Sequence, residues 1–501
     1  MKIFSAGQMR AWDAYTIRHE PVASIDLMER AAERCAAWLL ERFSAETPFY
    51  VFCGTGNNGG DGLAIARMLL AAGRRAEVVI LENRGRNSAD FLENLRRLQA
   101  VTPGIFLMME GDATPGVPPD AVVVDALFGT GLKEPLSGHA SALVEELNQL
   151  PNERIAIDLP SGLFADQSSL GNSVVKATHT LTFAAPKLAL LLQENAGFTG
   201  EMTVLDIGLA KGFDADGETP FELSDKTLLL SRYRPRNRFA HKGNFGHALL
   251  VAGAYGKMGA ALMAAAACLR GGAGLLTCHV PRCGVSILQT ALPEAMVQPD
   301  PHETELSTLP GDPGRFTAIG IGPGIGTDEA AAATLRAYLE AARVAMVLDA
   351  DALNLLAKDA SLMPLLPPGS ILTPHPKEFD RLFGPHHSDF DRISTALAAA
   401  ARLRSVVLLK GHHTFIATPA GRGYFNSTGN AGMAKGGSGD VLTGLLTALL
   451  AQGYTAEDAA LLGVWLHGTA GDEAAARFGT ESMLPSDLTN QLGAAFRQLN
   501  S

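Results

Sequence analysis

Two glycine-rich loops carry most of the residues in this sequence that could do chemistry. Gly54 to Gly62 reads GTGNNGGDG and lies between FYVFCG and the run DGLAIARMLLAAG. A glycine loop between a strand and a helix turns backbone amides toward a phosphate, and the helix N-terminus adds positive potential. Gly54, Gly56 and Gly59 satisfy G-x-G-x-x-G, but the acid that a dinucleotide fold places about 20 residues on is poorly met. Glu77 begins the next strand and Glu82 follows it. No lysine follows the loop in the Walker manner. Asn57, Asn58, Gly59, Gly60 and Asp61 give it a polar character that a plain phosphate cradle does not require; the alternative is a turn held by Asx hydrogen bonds. The second loop, Gly436 to Asp440 (GGSGD), runs directly into VLTGLLTALLAQG. Its glycines let consecutive amides face an oxyanion. Asp440 is then either a helix cap or a general base aimed at a hydroxyl beside a transferring phosphoryl group.

Other polar residues fall at the ends of apolar runs. Asp125 ends VVVDALFG, and Asp158 and Ser161 end IAIDLPSG. Asn58, Asp125 and Ser161 offer hard oxygen donors for a cation, with too few carboxylates for a calcium cage, so a monovalent ion is expected. Taken singly, each aspartate has the alternative of a helix N-cap. In the C-terminal half, Lys410, Gly411, His412, His413 and Thr414 (KGHHT) end an apolar run, as expected of a nucleotide-phosphate contact. Gly322 and Gly324 flank Pro323 in a close-approach loop. His375 stands between prolines, and Asp349, Asp351 and Asn354 stand in LDADALN. His412 and His413 are adjacent in an extended segment and should point apart rather than share a metal. His467 carries no assignment, and Cys278, His279 and Cys283 read as packed groups around a buried strand, with metal binding as the alternative.

Apolar runs alternate with amphipathic ones through both halves, which predicts βαβ units, parallel sheets and right-handed crossovers. The continuous apolar character of the strands predicts sheets covered on both faces. From Lys211 to about Gly246 the alternation fails: KGFDADGETPFELSDK is polar and turn-rich, and RYRPRNRFAHKGNFG is basic. The expected organisation is an N-terminal Rossmann-like doubly wound domain over residues 1–213 and a second α/β domain over 222–501.

Length and composition agree with that. The chain has 501 residues, 47% of them hydrophobic and 19% charged, which excludes intrinsic disorder. Its 41 basic and 52 acidic residues give a net charge of −11, against the basic footprint that sequence-independent nucleic-acid binding needs. Small anionic substrates remain compatible, because backbone amides can hold them. The 53 glycines and 6% aromatics favour tight strand-to-helix loops over a β-sandwich. Five scattered cysteines form no disulfide framework and fit a reducing compartment. With neither a signal-type run nor an apolar stretch of spanning length, a cytoplasmic protein is expected, with no membrane or nucleic-acid partner.

GTGNNGGDG with VVVDALFGTGL and IAIDLPSG resembles the NAD(P)H-hydrate epimerases. GPGIG, LTPHPKEF, KGHHT and NAGMAKGGSGDVLTG resemble the ADP-dependent NAD(P)H-hydrate dehydratases, whose fold is ribokinase-like. Both sets stand in one chain, in the order of the bifunctional repair enzymes, and together cover nearly all of it. The resemblance implies an N-terminal domain that interconverts the R and S epimers of hydrated NADH or NADPH, and a C-terminal domain that dehydrates the S hydrate at the expense of ADP. It places substrate contacts at Asn57–Asp61, at Gly129, Thr130, Gly131, Leu132, Lys133, Glu134 and Pro135, and at Asp158. It places K⁺ at Asn58, Asp125 and Ser161, and Asp158 as the acid/base group. In the second domain it implies hydrate contacts at Gly259, Ala260, Gly324, His375 and Asp440. Adenine-nucleotide contacts fall at Lys410–Thr414 and Gly439, with Mg²⁺ offsetting phosphate charge and Asp440 catalytic. It also implies a homo-oligomer. NAGMA stands where these dehydratases more often have proline after the asparagine, a change that removes no functional group.

The main alternative is a ribokinase-like kinase of a small vitamin-precursor alcohol with a non-catalytic nucleotide-binding N-terminal domain. A Rossmann oxidoreductase is a further one, weakened by the missing acid.

Overall fold

A computed structural model describes residues 1–82, 87–213 and 218–500. The chain divides into two compact units: Lys2–Thr219 with Ser388–Phe390, and Met1, Pro220–His387 and Asp391–Ser501.

The first unit contains β1 (Phe49–Cys53), β2 (Ala76–Leu81), β3 (Ile105–Met108), β4 (Val122–Ala126), β5 (Arg154–Ile157), β6 (His179–Phe183) and β7 (Glu201–Leu205). They form one sheet in the order β3-β2-β1-β4-β5-β6-β7, every pair parallel. Phe49, Val51, Phe52 and Cys53 are all fully buried, so β1 is covered on both faces, the reason its sequence is apolar without alternation. The chain winds outward from β1 in one direction and from β4 in the other. Between these two strands lies the crevice where open α/β sheets bind ligands.

The second unit contains β8 (Phe221–Leu223), β9 (His247–Val251), β10 (Leu275–Val280), β11 (Met296–Pro299), β12 (Ala318–Ile321), β13 (Met346–Leu348), β14 (Ile371–Leu372), β15 (Val406–Leu409), β16 (Phe415–Ala417) and β17 (Gly423–Phe425). Their order is β11-β10-β9-β12-β13-β14-β15-β16-β17-β8. The β15–β16 and β16–β17 pairs are antiparallel, the remainder parallel. The direction of winding reverses between β9 and β12. The helix Ser438–Ala451 is buried from Val441 through Ala451, packing on the helix Met258–Arg270, and is hydrophobic on every side for that reason.

The stretch after Lys211, where the apolar alternation fails, still holds regular structure: Phe221–Leu223 is a strand and Lys226–Arg232 a helix capped by Asp225. β8 pairs parallel with β17 at the sheet edge, where a half-buried strand needs little apolar pattern. Positions 214–217 of the same stretch lie outside the described residues. Among the described residues no helix is long and apolar enough to cross a membrane.

Candidate functional sites

In the first unit, the loop after β1 leads into the helix Asn57–Ala71, beside the crevice between β1 and β4. Two glycines there are fixed by close backbone approach. A Cβ on Gly54 would lie 2.0 Å from the carbonyl oxygen of Leu127, and one on Gly59 would lie 1.7 Å from that of Gly54. The turn therefore stacks on itself and against the end of β4. The space beside it is a cavity of roughly 630 Å³. Asn57, Asn58 and Asp61 line it, as do Gly129, Thr130, Gly131, Leu132 and Asp158. Gly59 and Gly60 lie buried beneath the loop, and Lys133, Glu134 and Pro135 lie on the surface outside the lining.

Asp158 follows β5 with φ of +66°, a left-handed conformation that costs a non-glycine residue energy and tends to mark functional positions. Its Oδ1 lies 2.6 Å from Nζ of Lys187, a buried lysine that also donates to Thr182 Oγ1 and the Phe183 carbonyl. Asp61 is buried with no hydrogen-bond or ion-pair partner among the described residues. Burial and the neighbouring Asp158, Asp13 and Asp90 raise its pKa well above the carboxylate range. Asp13 also lines the cavity, and burial followed by the charge of Asp158 raises it to about 6.

Asp125 and Ser161 meet directly. The Ser161 amide donates to Asp125 Oδ2 at 2.8 Å, its hydroxyl donates to Oδ1 at 2.5 Å, and the Phe128 amide donates to Ser161 Oγ. Burial pushes Asp125 up to about 6 against those hydrogen bonds. Both polar atoms of the Asn58 side chain are buried without partners. The side chain packs where a Cβ on Gly129 would lie, 3.3 Å from Asn58 Cγ and 3.5 Å from Asp158 Oδ2. The orphaned amide of Asn58, the Asp125 carboxylate and the Ser161 hydroxyl are chemically suited, as oxygen donors, to a weakly charged hard cation.

In the second unit, the loops at the β9–β12 switch point approach closely: the Gly253 amide donates to the Pro323 carbonyl. Gly324, at φ +68°, sits where a Cβ would lie 3.2 Å from Lys257 and 3.4 Å from Ala260. Asp349 is buried and binds Lys410 Nζ at 2.8 Å and Thr443 Oγ1 at 2.7 Å. Burial opposes its ionisation, but Lys410 and these hydrogen bonds outweigh it and hold the pKa below the usual value. Gly439 fits against this pair, since a Cβ there would lie 3.5 Å from Asp349 Oδ2 and 3.6 Å from Lys410 Nζ.

Asp440 stands in the first turn of the helix Ser438–Ala451. Its side chain caps nothing, and among the described residues its carboxyl has no hydrogen-bond or ion-pair partner. Burial and then the charge of Asp349 raise it to about 6, against Lys410. The preceding Gly437 has φ of +106°, and a Cβ there would overlap Met263. His375 caps the helix Pro376–Phe383 through Nδ1 and stands 3.5 Å from Glu378, whose other oxygen is 4.0 Å from Lys410. Gly259 opens the helix Met258–Arg270 with open space around it. Gly411 to Thr414 form a turn closed by the Thr414 hydroxyl on the Gly411 carbonyl. That turn corrects the expected divergence of His412 and His413, whose rings lie 4.5 Å apart edge-on. No group of three or more His, Cys, Asp or Glu suited to a metal occurs among the described residues.

Three residues here escaped the sequence reading. Asp13 and Lys187 had no motif around them, though a lysine inside AAPKLALLL was a visible anomaly. His467 had no assigned role; its Nε2–H donates to the Ser438 carbonyl, at the start of the helix that carries Asp440. The Cys278 neighbourhood is packing: His279 contacts the Tyr338 hydroxyl and Asp300, all buried.

Fold and sites define a two-unit α/β protein with a glycine loop and acidic residues at the switch point of each sheet. Residues 24–189 match the family described as YjeF-related protein N-terminus, and residues 248–493 match NAD(P)H-hydrate dehydratase. The chain is 37% identical to the bifunctional NAD(P)H-hydrate repair enzyme Nnr of Moorella thermoacetica, over 100% of this chain and 97% of that one. It is 36% identical to the Escherichia coli enzyme of the same name, over 93% and 88% of the two chains. Among solved structures, the ADP/ATP-dependent NAD(P)H-hydrate dehydratase from Bacillus subtilis, co-crystallised with ATP/Mg²⁺, aligns with TM-score 0.49 and 31% identity over 55% of this chain and 98% of that one. The chain belongs to the family of bifunctional NAD(P)H-hydrate repair enzymes.

Proposed function

We propose that this protein repairs hydrated NADH and NADPH in two steps, epimerising the R and S hydrates in residues 1–213 and dehydrating the S hydrate with ADP in residues 222–501. The single observation that carries the reading is a full-length match to bifunctional repair enzymes spanning both units. A kinase with a non-catalytic first unit leaves that match unexplained.

In the first unit the substrate lies along Asn57–Asp61 and Gly129–Pro135. Asp158 makes and breaks the proton transfer that C–O exchange at the hydroxyl-bearing carbon requires. Its ion pair with Lys187 fixes the carboxylate's orientation. Asn58, Asp125 and Ser161 would hold K⁺, which supplies positive charge beneath the loop when bound.

In the second unit Asp440 takes the proton from the hydrate's ring hydroxyl as it is phosphorylated. Phosphorylation converts a poor leaving group into a good one, and loss of phosphate restores the dihydronicotinamide. An unpartnered carboxylate at a helix N-terminus suits a base that must meet a hydroxyl. The amides of Gly437–Gly439 stabilise the transferring phosphoryl group. Lys410–Thr414 and Gly439 contact the nucleotide, and Gly259, Ala260, Gly324 and His375 contact the hydrate. Mg²⁺ would supply charge compensation to the phosphates when it arrives with the nucleotide. The protein acts in the cytoplasm as a homo-oligomer.

The test is incubation of mixed hydrate epimers with Mg²⁺ and ADP or ATP, following dihydronicotinamide absorbance. Recovery that depends on nucleotide is expected. Recovery without nucleotide, or none under any condition, overturns the reading.

A further inference from the structure

We propose that Asp13 is a second catalytic residue of the first unit, exchanging one proton with the hydrate's ring hydroxyl while Asp158 exchanges the other. This rests on the epimerase reading and names a group outside the segment matched to the family, which begins at residue 24.

The helix Ala6–His19 is anchored away from the cavity by the buried Trp12 and Thr16: Trp12 Nε1 donates to the Ala210 carbonyl at 3.0 Å, and the Ala210 amide donates to Thr16 Oγ1. Met9 is buried at the edge of the cavity. Arg10, Asp13, Ala14 and Ile17, spaced three and four apart, then share one helical face, and all four line the cavity. Asp13 is therefore delivered to the cavity by a fixed element. Among the described residues its carboxyl has no hydrogen-bond or ion-pair partner, although it is part-buried. A structural aspartate in that position would be expected to hold a partner.

The charged groups facing it separate the roles of the two carboxyls. Asp158, at the end of β5, is ion-paired at 2.6 Å to Lys187, which also donates to Thr182 Oγ1 and the Phe183 carbonyl. Lys187 is thus spent on Asp158. Asp13 faces the charge of Asp158 and only a lesser opposing effect of Lys187, with Asp61 nearby and Arg10 on its own helix. It is held in the protonated form up to about pH 6 by burial and Asp158. Two acids in one cavity, one ion-paired and one without a partner, is the arrangement that divides acid from base.

The hydrate of a dihydronicotinamide carries its hydroxyl on a carbon bonded to the ring nitrogen. Asp13 donates its proton to that hydroxyl, the C–O bond breaks, water departs, and the nitrogen lone pair forms the C=N bond of a cationic ring. Water then adds to the other face, forming a new C–O bond while its proton passes to Asp158. One proton leaves the pair and one returns, no oxidant or reductant is needed, and the reverse reaction exchanges the two roles. Once Asp13 has given up its proton, the carboxylates of Asp13 and Asp158 face the single ammonium of Lys187, which favours the transient cation.

The experiment measures R-to-S exchange in the full chain, in heavy-oxygen water, for the unaltered protein and for Asp13→Asn, Asp13→Glu and Asp158→Asn. Expected are incorporation of solvent oxygen with each epimerisation, and a fall of at least about 100-fold in kcat for D13N with KM little changed. D13E should recover part of the rate, and the decline of rate above about pH 6 should vanish in D13N, with an unaltered unfolding transition. Absence of exchange in the unaltered protein overturns both the inference and the reading beneath it. Exchange that D13N retains to within about threefold, or that occurs without oxygen incorporation, overturns this inference alone.

Discussion

Lys410 Nζ lies 2.8 Å from Asp349 Oδ1, while Asp440, which shares their surroundings, has no partner among the described residues. The cation is committed to one aspartate, and the other is left available to a substrate. The same division recurs in the first unit, where Lys187 is committed to Asp158.

Asp349→Asn should therefore act on Asp440 as well as on stability. Removing the like charge and freeing Lys410 both lower the Asp440 pKa. The rise of dehydration rate with pH, centred near 6 in the unaltered protein because Asp440 must be ionised, should move to lower pH. The part-buried Lys410 is left with Glu378 alone at 4.0 Å, and unfolding free energy should fall, by about 1–3 kcal/mol. A pH–rate profile and denaturant unfolding check the two effects.

Asp440→Asn should retain nucleotide binding, measured by calorimetry, and lose dehydration by about 1,000-fold. The carboxyl caps nothing, so its removal leaves the helix N-terminus intact.

Within the first loop, two glycines should behave oppositely. Gly59→Ala puts a Cβ against the Gly54 carbonyl and should destabilise the unit by more than about 4 kcal/mol. Gly56→Ala meets nothing within 4 Å at φ −89°, and should stay within about 0.5 kcal/mol of the unaltered protein. Thermal unfolding of the two variants distinguishes a packing requirement from mere glycine content.

Both polar atoms of Asn58 are buried without partners, so Asn58→Ala removes groups free to meet a bound ion. Epimer exchange by the unaltered protein should be faster in K⁺ than in Na⁺, and K⁺ should raise its unfolding temperature; both effects should be absent in Asn58→Ala.

The doubly wound sheets were legible because fully covered parallel strands are written as unbroken apolar runs, as in FYVFC and VVVDA. The loops were legible because close backbone approach at Gly54 and Gly59 admits no side chain. What was not legible is the pairing that gives each aspartate its role. Asp125 and Ser161 were expected at one site, but their direct bond across 36 residues was not, and Lys410 meets Asp349 across 61; such contacts are set by sheet order rather than by local pattern. Asp13 is harder still, because an exposed-looking helix gives no sign that one acid on it faces a cavity. His467 illustrates the same point, since its bond to the Ser438 carbonyl exists only once two helices pack. The strand at Phe221–Leu223 was missed because an edge position relaxes the apolar pattern.

The most direct test supplies the R hydrate alone, with ADP and Mg²⁺, to the unaltered chain and to Asp158→Ala and Asp440→Asn separately, and follows dihydronicotinamide absorbance. Recovery is expected from the unaltered chain, with neither variant exceeding what spontaneous epimerisation permits. Recovery by Asp158→Ala at the unaltered rate would contradict a division of the repair between the two units.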